Sequence, residues 1–495
     1  MAEAEQRKDS SLIKIIAGYS ASSIFSKIFG VFYSFLKPKL LSPELYGLWN
    51  LLNLIPTYAA YVHLGSRSSM QYRIPYHLGA GEETQSNQIK DTVFYATLIL
   101  NLIIAVFVAV IALAGNFSIV ETSGLLVMSV MIILIWYEEY TVSLLKAYQD
   151  FKLLTSLTYL MTVAKVFSGI LFLYLWGIYG LYLSIIFSYI VILAFIIKNC
   201  RPSINKGFQL PIFKELVHHG FPIMLFNFSN ILISTADRFV ISHFLGIKQL
   251  GYYSFAVTVF TFMIQIPGAA REVIEPRLMS ELNNKSKQAV LDEYLFKPLI
   301  NTAYYLPFII GPIVFAIPVL TTLLFPKYTE AIVPAQIMTI GGYFFSLSYL
   351  TRGIIVANNW QLKASAIVLF ICLLNTLTNI FLLSSGIGIA AVAAVSSISY
   401  FLLFATLLFF ALKRYACTAS FLKSNAIALC LPSCFMCLCF LASEYASKTG
   451  GYSPYISAFA SIVIYMTGMI LLIISATKIN PHLKGLKIRK PWTKK

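Results

Sequence analysis

The chain has 495 residues, of which 58% are hydrophobic and only 12% are charged, and its formal net charge is +17. Soluble domains are about 25% charged, and soluble cores stop growing beyond roughly 300 residues. The composition therefore excludes an ordinary soluble protein and indicates an integral membrane protein.

Apolar stretches long enough to cross a membrane follow one another along the chain. About 20 helical residues span the ~30 Å hydrocarbon core of a bilayer, and the sequence predicts fourteen such spans. They are placed at 12–36, 45–66, 92–114, 120–145, 155–176, 178–198, 217–245, 251–270, 298–324, 334–357, 362–385, 387–412, 422–443 and 454–476. The predicted fold class is an all-α integral membrane protein with about 14 transmembrane helices.

Basic residues are distributed unevenly among the connections between these spans. Of the 37 Lys and Arg residues, 29 are assigned to the termini and alternate connections when residues near the span ends are counted with them, five to the opposite set, and three to the interior of spans. Because cytoplasmic loops are enriched in Lys and Arg, both termini are predicted to be cytoplasmic. This asymmetry accounts for the net charge, so nucleic acid is not expected as a partner.

The termini and the cysteines give few signals. The start, MAEAEQRKDSS, lacks the layout of a cleavable signal peptide, so the first span is expected to remain in the protein. The tail, KGLKIRKPWTKK, either lies on anionic membrane lipids or only sets the topology. Cys430, Cys434 and Cys437 share a helical face, but we interpret them as small apolar residues. No metal site or other cofactor is expected.

An internal repeat relates two parts of the chain. Residues 41–49 (LSPELYGLW) and 245–253 (LGIKQLGYY) each place a leucine, a short turn and a glycine before aromatic residues that open the next span. The offset of 204 residues corresponds to six spans, so both halves are predicted to insert with the same orientation. Parallel repeats of this kind are a transporter design. The expected lobes are 1–205 and 206–414, followed by two extra helices over 415–477 and a basic tail over 478–495.

Two segments carry a family resemblance. LLSPELYGLWNLLN at 40–53 and TADRFVISHFLGIKQLGYYSFA at 235–256 resemble Wzx-type polysaccharide flippases, whose superfamily includes MATE exporters and lipid II flippases. The resemblance implies two six-helix lobes around a cavity. It also implies an undecaprenyl-pyrophosphate-linked oligosaccharide as substrate, moved from the cytoplasmic to the periplasmic leaflet of a bacterial inner membrane. An O-antigen or lipopolysaccharide pathway, with a polysaccharide polymerase and a chain-length regulator as partners, would fit this role.

Three basic residues inside the spans are the first candidates for binding an anionic substrate. A charged side chain within hydrocarbon costs several kcal/mol and is seldom kept without a partner or a task. Lys27, Lys165 and Arg238 are therefore predicted to line the substrate path. Snorkelling, or salt bridges that only fasten helices, are the alternatives.

Four arginines at matching cytoplasmic ends of the two halves are candidates for the substrate entrance. They are Arg67, Arg73, Arg271 and Arg277. Their alternative role is to set the membrane topology.

Carboxylates within the spans are candidates for coupling transport to an H⁺ or Na⁺ gradient, because coupling needs a group whose ionisation differs between conformations. Asp237, Glu138 and Glu139 are the candidates, since Glu121 lies at the very start of its span. Glu138 and Glu139 lie near the cytoplasmic end of their span and could instead be interfacial. Tyr58, Tyr61 and Tyr349 could stack on sugars, although packing and interfacial belts explain most aromatic residues.

Two other functions share parts of this pattern. A membrane-embedded polysaccharide polymerase or ligase would usually carry a large external loop, and every external connection here is short. A MATE-like multidrug or cation antiporter would favour an acidic cavity, which the three cations inside spans oppose. The sequence therefore favours a flippase without enzymatic activity.

Overall fold

The computed structural model describes the backbone of residues 2–200, 204–205, 207–281, 286–415, 418–449 and 454–479. Within these ranges the side chains of 2–17, 266–277, 279–281, 287–288, 418–424, 447–448, 454 and 478–479 are outside the description. The predicted basic tail, 478–495, therefore lies outside the described side chains.

The described residues form helices and no strands. In chain order the helices are α1 (Ala2–Leu40), α2 (Pro43–Leu52), α3 (Leu54–Ala59), α4 (Ser66–Gly79), α5 (Glu83–Ala114), α6 (Ile119–Ala147), α7 (Phe151–Asn199), α8 (Leu210–Ile233), α9 (Ala236–Phe244), α10 (Gly246–Glu281), α11 (Lys287–Leu291), α12 (Lys297–Leu324), α13 (Ile332–Ala357), α14 (Gln361–Ser384), α15 (Ile389–Arg414), α16 (Thr418–Thr449) and α17 (Pro454–Ile479). A π-helical turn at Asp292–Phe296 precedes α12, and a 3₁₀ turn at Pro326–Ala331 precedes α13.

Ten ranges of the described chain are long and apolar enough to cross a membrane. One of them, Phe151–Asn199, contains the fifth and sixth predicted spans, and Gly177 separates the two with φ 57° and ψ −129°. The all-α integral membrane fold predicted from the sequence is confirmed. The chain divides into two compact units, Met1–Gly251 and Tyr252–Lys495.

The second predicted span, 45–66, is not a continuous helix. α2 ends at Leu52, α3 ends at Ala59, and turns precede α4. Leu64 and Gly65 have φ of 50° and 90°, values that lie outside the right-handed helix. The prediction of one helix here is wrong, because hydropathy reports apolar length and not where the backbone leaves the helix.

The seventh predicted span, 217–245, is also interrupted. α8 ends at Ile233 and α9 begins at Ala236, with Ser234 and Thr235 between them. The Thr235 hydroxyl donates to the carbonyl of Ile231, 2.7 Å away. This hydrogen bond satisfies a carbonyl in the last turn of α8. Discontinuous helices of this kind often form binding sites in transporters.

The second unit is built around α13, which packs against α12 and α15. α16 and α17 pack on α12, and the Tyr465 hydroxyl of α17 donates to the Pro307 carbonyl at 2.8 Å. Gly311 leaves the space that the Tyr465 ring occupies. The two extra C-terminal helices of the sequence prediction are thus fixed to the core of this unit.

Equivalent glycines of the internal repeat touch each other in the first unit. A Cβ on Gly47 would overlap the carbonyl oxygen of Ile247, and a Cβ on Gly251 would overlap that of Pro43. Each glycine therefore meets the residue four positions before the other, as in a contact around a two-fold axis. This reciprocal contact supports the repeat with the predicted offset.

Replacing Gly47 with alanine should destabilise the protein, since the added methyl has no space between two backbones. Overpacking of this kind costs about 1–3 kcal/mol. Gly30→Ala is the matched control, because a Cβ there has no neighbour within 4 Å. We expect Gly47→Ala to melt well below wild type in detergent and Gly30→Ala to melt near it. Equal melting temperatures for the two variants would show that the contact is loose.

Candidate functional site

A buried carboxylate and a half-exposed lysine form the central ion pair of the first unit. Lys165 Nζ lies 2.9 Å and 2.8 Å from the two carboxylate oxygens of Glu138. The Lys165 side chain is 35% exposed, whereas that of Glu138 is 8% exposed. The lysine therefore faces open space, and the carboxylate lies behind it.

The depth of this pair follows from the helix that carries Lys165. Lys165 lies fourteen residues after the start of α7 and twelve before the break at Gly177, about 20 Å from either end at 1.5 Å per residue. An exposed ammonium in the middle of a membrane span is expensive unless it faces a water-filled cavity. The depth of Lys165 is the one that the sequence prediction of a substrate-path residue requires.

Aromatic contact completes the surroundings of the pair. Lys165 Nζ lies 4.8 Å from the ring centroid of Tyr189, on the second part of α7. Lys165 therefore gains a cation–π contact in addition to its ion pair with Glu138.

The next residue on α6, Glu139, forms a second ion pair. Its partner is Arg67 of α4, which also donates from Nη2 to the carbonyl of Ala60 at 3.3 Å. Because successive helical residues point about 100° apart, Glu138 reaches α7 while Glu139 reaches α4. The two carboxylates therefore tie three helices together and attach the interrupted backbone after α3 to α6.

The two interrupted helices meet through Tyr58. Its hydroxyl lies 2.7 Å from Thr235 Oγ1, at the break between α8 and α9. The Tyr58 ring stacks on Phe239 with centroids 5.8 Å apart, and Tyr61 packs on Phe228 at 5.5 Å. Both predicted sugar-stacking tyrosines of this unit thus lie beside the helix breaks, in an aromatic cluster.

Arg238 lies on the first turn of α9, beside the same break. Its side chain is half-buried, and its Nε is buried without a hydrogen-bond partner among the described residues. Asp237, its neighbour, is 1% exposed. A buried guanidinium N–H of this kind is costly unless a ligand engages it. Arg238 is therefore a suitable donor for an anion.

Lys27 of α1 lies at the level of Lys165. Phe25 packs on Tyr159 with centroids 5.2 Å apart, and further along both helices Tyr33 lies against Gly169. α1 and α7 therefore run parallel here, with Lys27 and Lys165 each between these two contacts. The half-buried Lys27 belongs to the same depth of the first unit.

Of the four predicted entrance arginines, the structure describes the side chains of two. Arg67 forms the pair with Glu139, and Arg73 Nη2 lies 2.5 Å from Glu215 Oε1 on α8. Arg271 and Arg277 lie outside the described side chains. In the described part of the chain the cations proposed for the entrance thus bind carboxylates of neighbouring helices.

Sequence reasoning missed one intramembrane cation. Arg352 falls within the predicted span 334–357 but was counted with the cytoplasmic connection that follows it, and it lies inside α13 with only 6% exposure. Its guanidinium lies 4.2 Å from the ring centroid of Tyr349, which had been considered for sugar stacking. Residues three apart on a helix are neighbours, so the sequence spacing of Tyr349 and Arg352 could have predicted this contact.

The asymmetric burial of the central pair predicts asymmetric effects on stability. Lys165→Met leaves a buried Glu138 without its cation, and breaking buried pairs in this way costs about 3–5 kcal/mol. Glu138→Gln leaves a half-exposed lysine that water can solvate, so it should cost less. We expect melting temperatures in detergent in the order wild type, Glu138→Gln, Lys165→Met, with the double variant above Lys165→Met. The reverse order of the single variants would show that Lys165 is the buried partner.

Comparison with known proteins places these features in a family. The profile of a family described as "Polysaccharide biosynthesis protein" matches residues 39–333, more than half of the chain. A search of curated proteins gave no match.

Solved structures with the same fold are transporters. The lipid II flippase MurJ in an inward-closed conformation superimposes with a TM-score of 0.65 at 15% identity, covering 92% of this chain and 99% of that one. An inward-facing multidrug resistance MATE family transporter of the MOP superfamily gives 0.64 at 14% identity, covering 81% and 96%. A MOP superfamily transporter from Pyrococcus furiosus gives 0.58 at 12% identity, covering 82% and 96%.

The structural likeness establishes the fold, and the profile match establishes the family. The resemblance to Wzx-type flippases that the two sequence segments indicated is confirmed at this level. The chain belongs to the polysaccharide biosynthesis protein family and has the fold of MOP superfamily transporters.

Proposed function

We propose that the protein is a flippase that moves an undecaprenyl-pyrophosphate-linked oligosaccharide from the cytoplasmic to the periplasmic leaflet by alternating access. The observation that carries this proposal is the half-exposed Lys165 in the middle of a span, backed by the buried Glu138. Family membership and the transporter fold support it.

The chemistry of such a substrate suits the cations of the first unit. A pyrophosphate cannot cross hydrocarbon alone, while the lipid tail can stay in the bilayer. Lys165, Lys27 and Arg238 supply cationic donors at the depth of the spans. A carrier must release its substrate after moving it. A few partly hydrated cations meet this requirement, because they bind the pyrophosphate without holding it too tightly.

Glu138 gives this site a way to bind and release its anion. Without substrate, the carboxylate neutralises Lys165 at 2.8 Å. An incoming phosphate competes for the same ammonium, and when it succeeds Glu138 loses its cation. We therefore propose that Glu138, a carboxylate whose cation is engaged by the substrate, couples substrate binding to proton binding.

This linkage favours H⁺ over Na⁺ as the coupling ion at Glu138. Sodium would require several oxygen ligands, whereas the partner of Glu138 among the described residues is the Lys165 ammonium. Glu139, which pairs with Arg67 but is the more exposed member of its pair, is a second candidate, and the buried Asp237 beside Arg238 is a third.

The cellular setting completes the proposal. In this proposal both termini are cytoplasmic in a bacterial inner membrane, with lobes at 1–205 and 206–414, extra helices at 415–477 and a basic cytoplasmic tail at 478–495. A polysaccharide polymerase and a chain-length regulator would act on the translocated product. The described external connections are short, which gives a polymerase or ligase little room for a catalytic domain.

Loss of the protein should leave lipid-linked oligosaccharide on the cytoplasmic leaflet, as measured by leaflet-specific labelling. Complementation with Lys27→Ala should restore little translocation although the protein is folded, because a cation of the path is missing. Lys39→Ala, an exposed change on the same helix, is the matched control and should restore it fully.

Other outcomes of this experiment would assign another function. Normal translocation with short glycan chains would indicate a polymerase. Drug sensitivity with normal translocation would indicate a MATE-like exporter of cations. Full activity of Lys27→Ala would remove Lys27 from the substrate path while leaving the flippase assignment intact.

Proton linkage is measurable by calorimetry of undecaprenyl pyrophosphate binding in buffers with different ionisation enthalpies. Wild type should take up about one proton on binding, and Glu138→Gln should take up clearly less, since its amide does not titrate. Glu121→Gln is the control on the same helix, because Glu121 caps the first turn of α6. Equal uptake by wild type and Glu138→Gln would exclude Glu138 as the coupling group.

A further inference from the structure

An apolar groove opens on the second unit. It has a volume of about 1020 Å³ and lies between α14, α15 and α16. Phe370 and Leu374 form one wall, Phe409 lines its length, and Ala426 and Leu429 form the other wall. Lys413 is the one charged side chain that lines it in the described part of the chain.

The groove belongs to one leaflet of the membrane. Its lining residues occupy 366–374 near the start of α14, 401–413 near the end of α15 and 426–430 near the start of α16. All of these helix ends adjoin connections predicted to be cytoplasmic. From Phe401 to Lys413 the groove extends about 18 Å at 1.5 Å per residue, close to the ~15 Å thickness of one hydrocarbon leaflet.

Aromatic and basic residues fix the outer end of the groove at headgroup level. The Arg414 guanidinium lies 5.7 Å from the ring centroid of Trp360, and the rings of Trp360 and Tyr415 are 5.7 Å apart. Tyr415 also shares hydrogen bonds with the Asn358 amide at 2.9 Å and 3.1 Å. Tryptophan, tyrosine and arginine in such a cluster are typical of the membrane interface.

The helices that line the groove carry basic but no acidic residues at this end. Between Glu330 and Glu444 the sequence contains no Asp or Glu, whereas Lys363 and Lys413 are both exposed at the same end. The lysines therefore cannot be neutralised by carboxylates of these helices. A lipid phosphate at headgroup level supplies the missing negative charge, and its acyl chain fits the apolar groove.

We propose that this groove is a binding site for an anionic glycerophospholipid of the cytoplasmic leaflet, with the phosphate at Lys413 and one acyl chain along Phe409. The length of the groove favours an acyl chain over an undecaprenyl chain, which is much longer than one leaflet. The site is independent of the transported substrate and of the ion pairs in the first unit.

Native mass spectrometry of protein from nanodiscs that contain equal phosphatidylglycerol and phosphatidylcholine tests the site. Wild type should retain phosphatidylglycerol in preference. Lys413→Ala should lower that preference about fivefold. One lysine near an anionic surface contributes ~1 kcal/mol of attraction, and losing that energy corresponds to this factor. Ala426→Trp should reduce retention of both lipids, because the indole fills the groove from an exposed position.

Matched controls separate the groove from general lipid contact. Lys198→Ala and Ala194→Trp change exposed residues near the cytoplasmic end of α7 and should behave as wild type. Equal retention of the two lipids by wild type, or unchanged retention by Ala426→Trp, would overturn the proposal. Retention of a polyprenyl phosphate in place of glycerophospholipid would also overturn it. So would an Ala426→Trp variant that keeps its lipid but no longer self-associates, because the groove would then be an interface between copies of the protein.

Discussion

The contact between Lys165 and Glu138 is the interaction on which the proposed transport depends. Placing a lysine in the middle of a span is expensive, and a carboxylate 2.8 Å away makes it tolerable. Because only the lysine is exposed, the pair can exchange its internal anion for an external one. A fully buried pair would only fasten helices, and a lone lysine would bind anions too persistently to release them.

The helix interruptions bring further polar groups to the same unit. The turns after α3 free the Ala60 carbonyl for Arg67, which in turn holds Glu139. The break after α8 places Thr235 against Tyr58 and Arg238 beside them. These features concentrate cations, carboxylates and backbone groups where continuous apolar helices would offer none. The reciprocal contact of Gly47 and Gly251 shows that residues related by the repeat meet within this unit.

The sequence predicted the fold class, because hydropathy and charge report it directly, and it predicted the family from the two segments at 40–53 and 235–256. It did not predict that Lys165 would pair with Glu138, since partners on different helices depend on helix packing. The interruption of 45–66 was missed because its residues are apolar whether or not the backbone is helical. Arg352 was assigned to a loop because it lies close to the end of a predicted span. An error of a few residues in the predicted end moves such a residue between span and loop. The apolar groove of the second unit depends on helix spacing and has no sequence signature.

Competition between Glu138 and the substrate for Lys165 is the central claim, and direct binding measures it best. The affinity for undecaprenyl pyrophosphate should be determined in one detergent for wild type, Glu138→Gln and Lys165→Met. The account predicts that Glu138→Gln binds more tightly than wild type, because the internal competitor is gone, and that Lys165→Met binds more weakly. Weaker binding by both variants would contradict it and would reduce the pair to a structural salt bridge.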